Sequence, residues 1–107
     1  MASFVFIYRV PQDYRMGSES AAAWTGWFDS LGAAVADTGH AAVEVTVLGD
    51  VGAGTRLGGY SIVTADDLDA AMELAKGCPV LGMGAGVEVG QLAVPPDASS
   101  ADVGGGA

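Results

Sequence analysis

Residues 57–89, LGGYSIVTADDLDAAMELAKGCPVLGMGAGVEV, predict a strand, a helix and a second strand in that order. Tyr60 and Ile62 are β-forming residues in a short apolar run that follows two glycines, which is typical of a buried strand. In the closing segment 87–89, two valines flank a glutamate, as in a strand with one exposed face. Between these strands, four apolar residues have the spacing of one helical face: Leu68, Ala71, Met72 and Ala75.

Capping residues mark both ends of the predicted helix. At its start, Thr64 and Asp67 have the spacing of a capping box, and Asp66 is an alternative N-cap. At its end, Gly77 can adopt the left-handed conformation that stops a helix, and Pro79 cannot continue one. The sequence therefore predicts a helix that begins after these aspartates and ends before Gly77.

The N-terminal part of the chain predicts another strand and another helix. Residues 3–10 carry apolar side chains on both faces for most of their length, so we expect a strand that is covered on both sides. Residues 11–17 form a polar loop, after which Ser18 or Ser20 can cap a helix that runs to about Asp37. The apolar stripe of this helix consists of Trp24, Trp27, Phe28, Leu31 and Val35.

Residues 42–48 predict a further strand, because valine alternates there with smaller or polar residues. Residues 49–58 then form a glycine-rich connection to the strand around Tyr60. The element order is therefore β-α-β-β-α-β. Because crossover connections are right-handed, this order predicts an α+β fold in which two helices lie on one face of a four-stranded antiparallel sheet. The first and third strands are predicted to be central, since the second and fourth show the alternation of edge strands.

The helix-free face of this sheet is predicted to be apolar. The central strands have apolar residues on both faces, in the pairs Phe4/Val5 and Ile62/Val63, and the helices can cover only one face. Soluble monomers rarely expose a large contiguous apolar patch. A second copy of the chain, packed sheet to sheet, is the simplest cover, so we predict a homodimer.

Two stretches resemble the YCII-related, or DGPF-type, protein family. They are SFVFIYR at residues 3–9 and GGYSIVTADDLDAAMELAKGCPVLGMGAGVEV at residues 58–89, and the resemblance covers about residues 3–93. The DGPF tetrapeptide itself is absent, and residues 49–54 stand roughly in its place. The resemblance implies a ferredoxin-like α+β fold that dimerises through its sheets into a dimeric alpha-beta barrel. It implies no particular activity, since many members of the family have none established.

The length and charge of the chain limit its possible functions. The 107 residues correspond to one domain, predicted over residues 1–94, with a tail at 95–107 that lacks periodicity and is expected to be disordered. Thirteen acidic residues against four lysines and arginines give a formal charge of −9. This balance argues against binding to nucleic acid or to anionic membranes. A single cysteine and the lack of an export signal or apolar span predict a cytoplasmic protein.

His40 is the first candidate for catalysis, because it is the single histidine of the chain and stands close to Asp37 in sequence. A carboxylate beside a histidine can orient it as a general base. The alternative is a loop histidine that caps carbonyl groups at the end of the helix. Some YCII-like proteins use a histidine and an aspartate at positions that fall near Phe28 and Cys78 here. Since neither residue is of the catalytic type, that dyad is not carried over.

Tyr8, Arg9 and Tyr60 are candidate ligand-binding residues, because they lie on the two central strands and are predicted to meet in a pocket facing the sheet. A half-buried arginine needs a partner, which a ligand carboxylate can supply. The alternative is a salt bridge within the chain or between subunits, with an acid such as Glu44 or Glu88.

Other chemically active residue types offer weaker signals. Cys78 stands at a predicted helix C-terminus, where the helix dipole raises the pKa of a thiol, so we expect a buried structural cysteine. The glycine motifs at 49–54 and 82–86 precede strands instead of helices, so neither is the helix N-terminus that binds phosphate. We predict neither a cofactor nor a metal site, because no cluster of His, Cys and carboxylates has ligand spacing.

Three hypotheses for the function follow. The first is a small-molecule-binding or accessory homodimer whose partners are itself and a small organic molecule. The second is a lyase- or isomerase-type enzyme that uses His40 as general base. The third is a purely structural dimerisation module. A polar cavity beside Arg9 would favour the first of these over the third.

Overall fold

The computed structural model describes residues 1–15 and 17–93, which form a four-stranded antiparallel sheet with two α-helices. The elements are β1 (Ala2–Pro11), α1 (Ser18–Leu31), β2 (Val35–Asp37), β3 (Thr55–Ala65), α2 (Leu68–Ala75) and β4 (Val87–Gln91). Short 3₁₀ helices at Gly32–Ala34 and Pro79–Met83 follow the two α-helices. The predicted α+β class and element order are confirmed. The tail at 95–107 lies outside the described residues.

The strand order of the sheet is β2-β3-β1-β4, so β1 and β3 are central as predicted. β1 pairs with β3 along its whole length, from Ala2 opposite Ala65 to Pro11 opposite Thr55. On its other edge, β1 pairs with β4. The long central pair is possible because both strands have apolar or small residues on each face.

Both helices pack against one face of the sheet. In β1 the buried side chains of this face are Phe4, Phe6, Tyr8 and Val10, which alternate with half-buried residues on the opposite face. Trp27 of α1 stacks on Phe6 with ring centroids 6.0 Å apart, and its indole N–H donates to the Leu74 carbonyl of α2 at 3.2 Å. Ala71 and Ala75 of α2 belong to the same buried cluster. The core therefore lies between the helices and the sheet.

The prediction for the second strand was wrong, as was the extension of the first helix to Asp37. α1 ends at Leu31, and the strand β2 occupies Val35–Asp37. One further backbone bridge, between Ala41 and Gly59, continues the contact with β3. The valine-rich residues 42–48 form no strand within the chain. The pairing with β3 ends at Gly58 and Gly59, and residues 42–48 do not extend it along residues 55–57. An alternating pattern is only a local preference, and a strand forms where the backbone also pairs with a neighbour.

The N-caps of the two helices show how well the local sequence predicted where each helix begins. Asp67 is the N-cap of α2, and its carboxylate accepts the backbone N–H of Ala70 at 2.8 Å. The N-cap of α1 is Gly17, one residue before Ser18 and three before Ser20. Ser20 still takes part, since its hydroxyl accepts the Gly17 N–H at 2.9 Å. Among the described residues, neither helix is long and apolar enough to cross a membrane.

Candidate functional site

A cavity of about 430 Å³ lies between α1, the N-terminal end of β3 and the segment 38–43. We call it the helix–sheet cavity. Its volume falls within the roughly 300–1,000 Å³ of most small-molecule sites. Aromatic residues form much of its wall: Tyr8, Tyr14, Trp24 and Phe28.

The aromatic wall arises from two simple periodicities. Trp24 and Phe28 are four residues apart on α1, so they lie on the same helical face, with ring centroids 6.1 Å apart. Tyr8 belongs to the buried face of β1 and meets Trp24 edge to face at 4.8 Å. Edge-to-face pairs of this kind are favourable beyond the area that they bury. The wall is therefore held in place by the same core that stabilises the fold.

A close approach of two backbone segments forms another side of the cavity. The N–H of Tyr60 donates to the His40 carbonyl at 3.3 Å, and Ala42 N–H donates to the Gly58 carbonyl at 3.0 Å. Gly39 has a positive φ of 72°, and a Cβ atom there would overlap the Tyr60 carbonyl oxygen. The segment 38–42 can therefore lie against β3 only because this position is glycine.

The hydroxyl group of Tyr8 is fully engaged inside the protein. It donates to Ser61 Oγ at 2.8 Å, and Ser61 Oγ in turn donates to the Thr38 carbonyl at 2.6 Å. Burial raises the pKa of the Tyr8 phenol above its ordinary value. Tyr8 therefore presents a neutral aromatic surface to the cavity, while its hydroxyl ties β1 to β3 and to the segment after β2.

Two arginines, Arg15 and Arg56, also line the cavity. Arg15 Nη1 donates to the Tyr14 carbonyl at 2.9 Å, and Arg56 Nη2 donates to the same carbonyl oxygen at 3.1 Å. Because both atoms contact the same oxygen, Arg15 Nη1 and Arg56 Nη2 are separated by no more than the sum of these two distances. Among the side chains that the structure describes, neither guanidinium pairs with a carboxylate, and the ion pair found there joins Lys76 to Glu73. Two like charges are thus held close together beside an apolar wall.

The indole nitrogen of Trp24 is a further polar group at this site. Nε1 is buried and has no hydrogen-bond acceptor among the residues that the structure describes. A buried donor without an acceptor costs about 1–3 kcal/mol. Because the atom is buried, a molecule in the cavity would reach it only after the indole ring moves.

The structure does not bring the three predicted ligand-binding residues together. Tyr8 lies on the buried face of β1, and Arg9, the next residue, lies on the opposite side of the sheet. Arg9 bonds to Thr55, through Nε to the hydroxyl at 3.3 Å and through Nη2 to the carbonyl at 3.1 Å. In the described part of the chain it has no salt bridge to Glu44 or Glu88. Tyr60 lies opposite Ile7 on the helix-free side of the sheet, away from the Tyr8 ring, although the residue also borders the helix–sheet cavity.

The two candidate catalytic residues, Asp37 and His40, make separate contacts. The Asp37 carboxylate accepts the backbone N–H of Gly39 at 2.8 Å. The exposed His40 has its ring 6.3 Å from the ring of Tyr60. In the described residues no hydrogen bond joins His40 to Asp37. A catalytic role for the pair stays a prediction, although His40 does line the cavity.

Cys78 is buried, as predicted, with 3% of its surface exposed. Burial raises the pKa of its thiol to about 11. A neutral, inaccessible thiol is a poor nucleophile. Among the described residues, no group of three or more His, Cys, Asp and Glu is placed to hold a metal ion.

Sequence reasoning missed Arg15 and Arg56 as site residues, and it assigned Trp24 and Phe28 only to the helix core. One feature of the sequence pointed to these arginines. Because the chain has only four lysines and arginines, each of them is a candidate for binding an anion. No protein-family model matches the sequence, and no curated protein or solved structure matches it either. The helix–sheet cavity is therefore the feature of this chain that bears on function.

Proposed function

We propose that this protein is a YCII-related, ferredoxin-like homodimer that binds a small organic molecule in the helix–sheet cavity. The observation that carries the proposal is a cavity of about 430 Å³ whose wall is mostly apolar and includes several aromatic residues. Sites for small molecules are concave, largely apolar and supplied with a few polar groups. The cavity has that composition, with the guanidinium groups of Arg15 and Arg56 as its charged members.

The positions of the polar groups favour binding over catalysis. The Tyr8 hydroxyl is occupied by Ser61, and the Asp37 carboxylate is occupied by the Gly39 backbone. A general base needs a partner that orients it, and His40 has no such hydrogen bond in the described residues. The enzyme hypothesis is the second candidate, because His40 lies at the cavity wall, where it can reach a bound molecule.

The sheet supports the homodimer and the ferredoxin-like arrangement. The strand order β2-β3-β1-β4, with antiparallel neighbours and helices on one face, is the order expected for two split β-α-β units. The helix-free face holds opposed apolar pairs at its centre: Val5 opposite Ile62, and Ile7 opposite Tyr60. These side chains are half-buried in the single chain. A second copy packed against them would remove the remaining apolar surface from water.

A binding screen with two matched variants tests the proposed function. Trp24 is in the cavity wall, so intrinsic tryptophan fluorescence and thermal shift can both report ligands from a library of small organic acids, alcohols and amines. Phe28→Ala removes part of the wall, whereas Leu31→Ala removes a half-buried residue of the same helix that does not line the cavity. We expect ligands whose affinity falls in Phe28→Ala and persists in Leu31→Ala. A library without any binder, or binders indifferent to Phe28→Ala, would contradict the proposal.

A further inference from the structure

We infer that the ligand of the helix–sheet cavity is an aromatic carboxylate whose carboxylate group is bound by Arg15 and Arg56. This inference rests on the proposed function and specifies the chemical class of the ligand. It is supported by three independent features of the site, namely the distribution of positive charge, the unfilled hydrogen-bonding capacity of the two guanidinium groups, and the aromatic wall beside them.

The charge distribution is the first feature. The chain has a formal charge of −9 and only four lysines and arginines, yet two of the four line this cavity. A protein with this net charge repels anions at long range. Positive charge placed beside an aromatic wall therefore has a local role, and a bound anion is the partner that it attracts most strongly.

The hydrogen bonds of the guanidinium groups are the second feature. Arg56 donates from Nη2 to the Tyr14 carbonyl and from Nη1 to the Leu57 carbonyl, each at 3.1 Å. Arg15 donates from Nη1 to the Tyr14 carbonyl at 2.9 Å. These bonds fix both side chains but neutralise neither charge. A guanidinium has further N–H donors in one plane, which match the two oxygens of a carboxylate.

The position of the two arginines in the fold keeps them together. Arg56 is in β3, directly opposite Val10 of β1, and Arg15 follows four residues after β1 ends. Both therefore lie at the same end of the sheet, beside the loop that leads to α1. The Tyr14 carbonyl, which accepts from both, holds them at a separation that one carboxylate can bridge.

The aromatic wall is the third feature, and it defines the body of the ligand. Trp24 and Phe28 offer aromatic surface to a planar apolar group, and buried aromatic pairs are favourable beyond the area that they bury. A small inorganic anion would leave this wall without contacts. A neutral aromatic molecule would leave the two guanidinium groups without a counter-charge. An aromatic carboxylate satisfies both parts of the site.

A matched series of three probes tests this assignment: 2-naphthoate, 2-naphthamide and 2-naphthylmethylamine. They share one ring system and differ in charge, so their affinities isolate the contribution of the carboxylate. By calorimetry we expect 2-naphthoate to bind at least about tenfold more tightly than 2-naphthamide, the difference typical of a charged hydrogen bond. The amine should bind more weakly than the amide. Inorganic phosphate alone should not compete with 2-naphthoate.

Three arginine variants locate the effect. Arg15→Gln and Arg56→Gln should each lower the affinity for 2-naphthoate by about tenfold and leave the affinity for 2-naphthamide nearly unchanged. Arg9→Gln is the matched control, because Arg9 does not line the helix–sheet cavity and is bonded to Thr55. Its binding of 2-naphthoate should equal that of the unchanged protein. Thermal melts of the variants show whether a loss of binding reflects a loss of the fold.

The possible outcomes separate this inference from the proposed function. Equal binding of the acid and the amide, with both lost in Phe28→Ala, would overturn the carboxylate assignment and leave the cavity as a binding site. The carboxylate assignment would also fail if 2-naphthoate did not bind and another compound bound in a way that depends on Phe28, and the cavity would again remain a binding site. Competition by inorganic phosphate would assign the arginines to a different anion. The failure of every library compound to bind would instead contradict the proposed function.

Discussion

The Tyr8 hydroxyl donates a hydrogen bond of 2.8 Å to Ser61 Oγ in the core, where Ser61 is fully buried and Tyr8 is 4% exposed. The Ser61 hydroxyl in turn donates to the Thr38 carbonyl at 2.6 Å. This short chain joins the two central strands to the segment that follows β2. It also satisfies every polar group involved, which a buried network must do to stabilise a fold.

We expect Ser61→Ala to lower the free energy of unfolding by about 1–3 kcal/mol, because it leaves both the Tyr8 hydroxyl and the Thr38 carbonyl without their partner. Tyr8→Phe should cost less, about 0.5–1.5 kcal/mol, since Ser61 can still donate to Thr38. Urea unfolding of both variants gives the comparison. Ser30→Ala is the control, because Ser30 donates only to Trp27 within its own helix. A larger loss in Tyr8→Phe than in Ser61→Ala would contradict this account.

Gly39→Ala should be far more destabilising than Gly49→Ala. The two glycines have similar positive φ values, 72° and 78°, so both substitutions carry the left-handed backbone cost of about 1–2 kcal/mol. Only at Gly39 would the added Cβ overlap a neighbouring backbone carbonyl, that of Tyr60, while nothing lies within 4 Å at Gly49. Thermal melting measures the difference between the two variants. Equal losses would mean that the segment after β2 does not need its close contact with β3.

Stability should fall as the pH rises above 9, in part through Cys78. Its thiol has an ordinary pKa of 9.0, which burial raises to about 11 in the folded chain. The unfolded chain releases this proton first, so the stabilisation is complete below pH 9 and is lost between pH 9 and pH 11. Urea unfolding under reducing conditions gives the free energy of unfolding at pH 8 and at pH 10. From pH 8 to pH 10 this free energy should fall by about 1 kcal/mol less in Cys78→Ala than in the unchanged protein. Identical pH profiles would show that Cys78 ionises equally in both states.

If the proposed homodimer forms, light scattering at micromolar concentration should give a mass of twice the 10.6 kDa chain. Ile62→Lys places a charge at the centre of the helix-free sheet face, opposite Val5, and should convert the protein to a folded monomer. Met72→Lys introduces the same charge on the exposed surface of α2, where 46% of Met72 is exposed. This control should remain dimeric. A monomeric mass for the unchanged chain would refute the dimer.

His40→Ala and Arg9→Ala test the remaining sequence-derived candidates. His40 is exposed, so its removal should leave the melting temperature nearly unchanged. Arg9→Ala should cost only about 0.5–1.5 kcal/mol, because the Thr55 carbonyl also accepts from Gln12 Nε2 at 3.1 Å. A turnover lost in His40→Ala alone, at an unchanged melting temperature, would establish the enzyme hypothesis. An unfolded Arg9→Ala would show that Gln12 does not compensate.

Local patterns in the sequence determined the element order and the central pair of strands. Alternating apolar residues report which faces of a strand are buried, and in β1 and β3 both faces are apolar, which places these strands inside the sheet. Asp67 caps α2 because a cap depends only on residues within one turn. Such features need no knowledge of distant parts of the chain.

Only the tertiary structure decided which residues form the second strand and which line the cavity. Residues 42–48 have a strand pattern, but a strand also needs a paired neighbour, and the outer edge of β3 pairs instead with Val35, Asp37 and Ala41. Arg15 and Arg56 are distant in sequence and share one carbonyl because the β1–β3 register brings Arg56 opposite Val10. A site of this kind depends on pairing between distant parts of the chain. The periodicity of a sequence indicates whether a residue is buried, but it does not indicate which distant residue it contacts.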